Sequence, residues 1–125
     1  MGADVGELRA WARDLGEAAE DLIPEARKVL VRGVINIKRD AKRRISGHPS
    51  FRRLPAAITD DVRQGADLVE VEVGPEHGRP QGNMGHILEN GTPTSAPSPY
   101  MRPATDRELP AINRYLDSLI PELLE

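Results

Sequence analysis

Three prolines within seven residues, Pro93, Pro97 and Pro99, decide more about this chain than any other feature of it. Each removes a backbone donor and pushes the residue before it into an extended conformation, so the stretch from Pro93 to Pro103 is predicted to run as an extended, polyproline-like arm. Its ends differ. Gly91 suits the left-handed conformation that stops a helix, and Pro103 suits the first turn of one, where no donor is needed. The arm carries Tyr100 and Met101 between two ordered elements. A stiff segment of that kind loses little entropy on docking, which favours recognition of another protein over catalysis. Tyr100, Met101 and Arg102 are therefore read as a docking patch, and packing of Tyr100 and Met101 on their own domain is the competing reading.

The 125 residues include no cysteine, which leaves one ordinary domain, residues 1–125, with neither disulfides nor a thiolate metal site. A reducing cytoplasm is the expected place of synthesis. No apolar run is long enough to span a membrane, and residues 1–20 are acidic and periodic where a secretory signal would be basic and then apolar. Aromatic residues make up only 3% of the chain, so its core must be aliphatic and thin, and assembly is expected to supply part of its stability.

Net charge is −3, yet residues 27–53 hold ten basic residues against the single acidic Asp40. That segment is +9 and the remainder −12. Such polarity favours head-to-tail or ring contacts between copies, or a basic face turned towards nucleic acid or an acidic partner. Lys38, Arg39, Lys42 and Arg43 recur on one helix flank. No helix-turn-helix or zinc-finger pattern accompanies them, so they are expected to touch phosphate without reading bases, or simply to solvate the helix.

Helical spacing begins at Val5, Leu8, Ala12, Leu15, Ala19 and Leu22, and resumes at Ile23, Ala26, Leu30, Val34, Ile37, Ala41 and Ile45. Pro24 falls between the two, and two helical segments meeting near Leu22 are expected. Gly47, His48 and Pro49 supply the stop. Residues 58–63 and 68–74 alternate as two strands, with Val69, Val71 and Val73 on one face and Glu70 and Glu72 on the other, which predicts a half-buried antiparallel hairpin. Residues 75–83 read as a mobile loop. Leu109, Ile112, Leu116, Leu119 and Leu123 restore helical spacing, with Pro110 in the first turn. The fold class is α+β: N-terminal helices, a small antiparallel sheet, the extended arm and a C-terminal helix.

Candidate chemistry is sparse. His48, His77 and His86 share no ligand spacing, and the lone His86-x-x-Glu89 lacks the second histidine of a helical zinc site. No serine sits in a nucleophile elbow and no glycine cluster matches a phosphate-binding fingerprint. No catalytic residue, cofactor or metal is assigned. For Glu89, a carboxylate bonding the backbone amides of the following turn is preferred to an acid or base of raised pKa.

The chain resembles the small tail-completion or neck proteins, often labelled minor tail components, of long-tailed phages and prophages of the lambda-like morphology. The resemblance rests on Glu89-Asn90-Gly91-Thr92, followed closely by Pro97-Ser98-Pro99-Tyr100-Met101-Arg102-Pro103-Ala104. These are similar to that family's Glu-x-Gly-Thr step and Pro-x-Pro-aromatic-x-Arg-Pro-Ala signature. More loosely it extends over residues 25–125, with Ser50-Phe51-Arg52-Arg53-Leu54 standing where the family has a Thr-Gly-Leu-Arg-like step, and Asn90 where it has an aromatic residue. The resemblance implies a non-enzymatic structural subunit, repeated as a ring at the head-to-tail junction around the DNA channel. Its neighbours would be head-completion and tail-tube or tail-terminator proteins, and its location the virion after synthesis in the host bacterial cytoplasm. Glu89, Gly91, Thr92, Pro99, Tyr100, Met101, Arg102 and Pro103 are the expected subunit-docking residues, with Lys38, Arg39, Lys42 and Arg43 as channel contacts. The alternative is a small nucleic-acid-associated module that uses the basic helix.

Overall fold

A computed structural model describes residues 10–11, 17–66 and 68–124, with side chains placed over residues 22–66 and 68–119. The aliphatic stripe of the first half forms a single long helix, α1 (Glu17–Ile45), against which the short second helix, the two hairpin strands and the last helix are laid. Leu22, Ile23, Ala26, Leu30, Val34, Ile37, Ala41 and Ile45 are all buried, as their spacing predicts. Burial of a side chain the size of Leu30 contributes about 1.5–3 kcal/mol, so this stripe is the main source of cohesion in a chain poor in aromatics.

The expected break near Leu22 does not occur. Pro24 lies inside α1 and is exposed, between the buried Ile23 and Ala26. The donor it removes leaves a carbonyl one turn back without its intrahelical partner, while the apolar face continues without a change of register. The expected earlier helix is also corrected where the chain is described. Ala10–Trp11 is a two-residue strand, β1, paired antiparallel with Val71 and Glu70. An open sheet edge competes for the same backbone groups and here overrides the local helical spacing. The rest of that expected helix, before residue 17, lies outside the described residues.

A short helix, α2 (Leu54–Ala57), leads into β2 (Ile58–Gln64), which pairs antiparallel with β3 (Val69–Pro75). The sheet order is β1-β3-β2. Val69, Val71 and Val73 are buried, and their partners in register, Gln64, Val62 and Asp60, share that face. Glu70 and Glu72 stand on the other face opposite Arg63 and Asp61. Residues 75–83, expected to be a mobile loop, are tied down instead from Glu76 onward. Arg79 donates its N–H to Glu76, Gly82 to Arg79 and Met84 to Gln81, while the Gln81 side chain bridges the Arg53 N–H and the Ser50 carbonyl. The segment after this loop is helical, α3 (Gly85–Asn90).

The last helix, α4 (Met101–Leu124), starts earlier than the leucine spacing suggests and runs through Pro110, which is interior and exposed and not in the first turn. It crosses α1 at close range. A β-carbon on Gly33 would stand 2.5 Å from both Cδ1 and Cγ1 of Ile112, so only glycine lets the two helices approach this far. Gly33→Val is expected to lower unfolding stability by about 1–3 kcal/mol through overpacking. Gly33→Val combined with Ile112→Ala is expected to recover part of that loss in urea denaturation. An unchanged midpoint for Gly33→Val would contradict the close crossing.

Candidate functional site

The two halves of the sequence motif meet around one carboxylate. Glu89 ends α3 with its side chain buried, 3% exposed, and it is the only polar or charged residue among the described ones that is buried to this degree. Its Oε1 accepts the N–H of Tyr100 at 3.0 Å and of Met101 at 2.8 Å, and its Oε2 accepts the N–H of Arg102 at 3.1 Å. These are the donors that the start of α4 leaves without an intrahelical partner. The next residue, Pro103, has no donor to satisfy. Every orphan donor of the first turn is thereby accounted for, and a negative charge sits at the positive end of the helix dipole. Glu89 does bond backbone amides as its sequence context suggested, but those eleven to thirteen residues onward and not those of the next turn.

Tyr100 and Met101 are each 1% exposed and belong to the hydrophobic core, so the reading of these two as a docking patch is corrected. The physical reason is the cap itself. Glu89 draws the backbone of residues 100–102 inward, and the Tyr100 and Met101 side chains follow it into the core. Tyr100 donates its hydroxyl hydrogen to the Gly85 carbonyl at 3.0 Å, which joins the start of α3 to the start of α4. Arg102 is exposed and Pro103 half-buried.

What remains outside is the arm. All of residues 92–99 are exposed, Thr92 and Pro99 included. The arm is not extended throughout, because Thr92 and Ser95 exchange both backbone hydrogen bonds and close a tight turn. Gly91 enters this turn at φ +76°, and a β-carbon there would stand 2.7 Å from the Ser95 carbonyl oxygen. The far end is fixed by the Ser98 N–H on the Leu88 carbonyl at 2.7 Å. The segment therefore projects as a preformed loop.

The basic flank of α1 divides in two. Lys38 pairs with Asp60 of β2, and Arg43 pairs with Asp40, which Arg44 also reaches. Burial pushes the Asp40 carboxyl up, but the bonds from Arg44 and Arg43 outweigh it and hold the group below its ordinary range. Arg39 and Lys42 make no ion pair among the described residues, with Arg39 exposed and Lys42 half-buried. His48 accepts the Ser50 N–H and meets Phe51 edge-on, which makes it part of the turn after α1. Among the described residues no cluster of histidine and carboxylate has the makings of a metal site, and no helix is long and apolar enough to cross a membrane.

Sequence reasoning missed Tyr115, which is 53% exposed on α4 beside a groove against α1. Its signal is present but faint. Tyr115 is an aromatic residue one position off the Ile112 and Leu116 stripe, in a chain with four aromatics. No family model, curated protein or solved structure matches the chain.

Two measurements test this architecture. Glu89→Ala strands three inward-facing donors and is expected to destabilise the fold by about 2–4 kcal/mol, with Glu89→Gln falling between it and the parent. Wild-type stability in both variants would exclude the cap. The second concerns pH. Burial, and then the Glu89 charge, raise the Tyr100 pKa above its ordinary value of 10.0. The folded state therefore holds this proton more tightly than the unfolded state, so the contribution is complete below about pH 10 and declines as pH rises beyond it. Tyr100→Phe is expected to flatten that alkaline decline while costing about 1 kcal/mol at neutral pH, where the Gly85 carbonyl loses its donor.

Proposed function

We propose that this chain is a non-enzymatic structural subunit of the head-to-tail junction or tail end of a long-tailed phage, repeated as a ring around the DNA channel and needed for tail completion or head-to-tail joining. One observation supports this most directly. The residues that carry the family resemblance, Glu89, Gly91 and Thr92 on one side and Pro99 to Ala104 on the other, act together as a device that holds a neutral eight-residue loop outward from a firm base. Such a device presents a surface and activates no bond. The partners under this reading are further copies of the chain and the neighbouring head-completion and tail-tube or tail-terminator proteins, and the location is the virion.

The role of the basic helix narrows. Lys38 pairs with Asp60 and the exposed Arg43 with Asp40, which leaves Arg39 and Lys42 as the members of the four without an ion pair among the described residues. Arg39 and Lys42, which make no ion pair among the described residues, support weak phosphate contact without sequence preference.

The test is assembly. In virions produced without this protein, tailless heads beside free tails are expected if it joins, and overlong tails if it terminates. Complementation with Arg39→Gln plus Lys42→Gln is expected to restore particles with weakened DNA retention, whereas Lys38→Gln is expected to lower subunit stability. Normal virions in the absence of the protein would refute the structural role.

A further inference from the structure

Between α1 and α4 lies a groove of about 380 Å³. Val29, Gly33, Ala111, Ile112 and Tyr115 line it, on walls that also include the charged Arg32 and Glu108. The Arg114 guanidinium lies 5.6 Å from the centre of the Tyr115 ring and steadies it in the open. An aromatic ring left half-exposed beside an apolar trough is an arrangement typical of interface anchors. The same molecule carries a segment of matching chemistry on another surface. Residues 92–99 bear no charge, contain three prolines, and are exposed throughout. Proline-rich backbone of this kind offers ring faces to aromatic grooves and free carbonyls to cationic donors.

We propose that residues 92–99 of one copy seat in the α1–α4 groove of a second copy, with proline rings against Tyr115 and the half-buried Val29 and Ala111 and backbone carbonyls facing Arg32. A subunit's own arm is held away from its own groove. The groove residues Glu108 to Tyr115 lie seven to fourteen positions along α4 from Met101, which is roughly 10–21 Å at the helical rise. The Ser98 bond to Leu88 and the Glu89 cap fix the arm at the start of that helix. The arm is also already ordered by its turn, so docking sacrifices little further entropy. Because arm and groove are different patches, a bound pair keeps one free arm and one free groove, and the contact propagates until a ring closes. The proposal rests on the ring reading above and specifies its interface.

A chain without cysteine permits a clean test. Full-length Ser95→Cys and Ala111→Cys variants are mixed and treated with a short thiol crosslinker. The mixture is expected to give at least tenfold more dimer than either variant alone. Tyr115→Ala placed in the Ala111→Cys partner is expected to remove most of that product, Tyr115→Phe to keep it, and circular dichroism to show both folded. Equal yields from the single variants alone would overturn the proposal. So would a link within one chain of the double variant Ser95→Cys/Ala111→Cys, which would make the subunit's own arm the occupant. An oligomer of ring mass without the Ser95–Ala111 link would overturn this interface and leave the ring reading standing. A monomer at every concentration up to the millimolar range would overturn both.

Discussion

The Glu89 carboxylate is the joint on which the second half of this molecule turns. It is buried, it ends one helix, and it caps the next through three backbone amides. An uncapped start of α4 at this depth would leave several buried donors unmet at about 1–3 kcal/mol each, more than a domain with an aliphatic core can spare. Once the cap forms, its consequences are geometric. The chain between Asn90 and Tyr100 must leave α3 and return to within hydrogen-bond reach of its last turn. Gly91 permits the sharp exit, the Thr92–Ser95 turn reverses the direction, and the prolines hold the return leg straight. The exposed loop is thus the necessary by-product of a closed polar circuit.

That circuit needs a firm base, which α1 supplies. Its apolar stripe packs against the sheet, α2 and α4, and its ion pair from Lys38 to Asp60 fixes the sheet laterally. Gly33 sets how closely α4 approaches, and so both buries Ile112 and opens the trough beside Tyr115. Little of the charge segregation evident along the chain is neutralised within the fold: among the described residues only the pairs Lys28–Glu25 and Lys38–Asp60 join the basic segment to the rest, and the other pairs stay on one side of the divide. Asp40 serves Arg43 and Arg44, Glu70 and Asp61 serve Arg63, and Glu76 serves Arg79. Exposed pairs of this kind are worth little each, so their effect is on the charge presented to partners more than on stability.

The periodic parts of the sequence were the legible ones. The stripe from Ile23 to Ile45 and the alternation of Val69, Val71 and Val73 reveal their elements because burial imposes a period of 3.6 or 2 on residue choice. What escaped was set by partners distant in sequence. Pro24 and Pro110 look like boundaries locally, yet each faces solvent on a helix whose packed side does not notice them. Tyr100 and Met101 look like free recognition residues because they follow three prolines, and only the eleven-residue reach of Glu89 turns them inward. Residues 10–11 obey a helical spacing that the open edge of β3 overrides. The pairing of Glu89 with the motif beginning at Pro99 was visible as a pattern, and its meaning as a cap required the fold.

A subunit that recruits copies of itself faces a conflict between exposing apolar surface for its neighbour and staying soluble before the neighbour arrives. In the proposed arm-to-groove contact the two sides are chemically separate. The exposed loop is rich in proline, serine and threonine, which carry little aggregation tendency because proline cannot join a sheet ladder. The apolar side is recessed between helices, with Tyr115 stacked under Arg114 and Arg32 on the wall. Neither half is a hydrophobic patch of the size that drives non-specific association. In the proposed contact their fit would come from shape and preformed backbone, weak when single and firm when a closing ring repeats it. The buried cap at Glu89 therefore does more than stabilise a helix: it converts folding energy within one subunit into the preorganisation that such a contact requires.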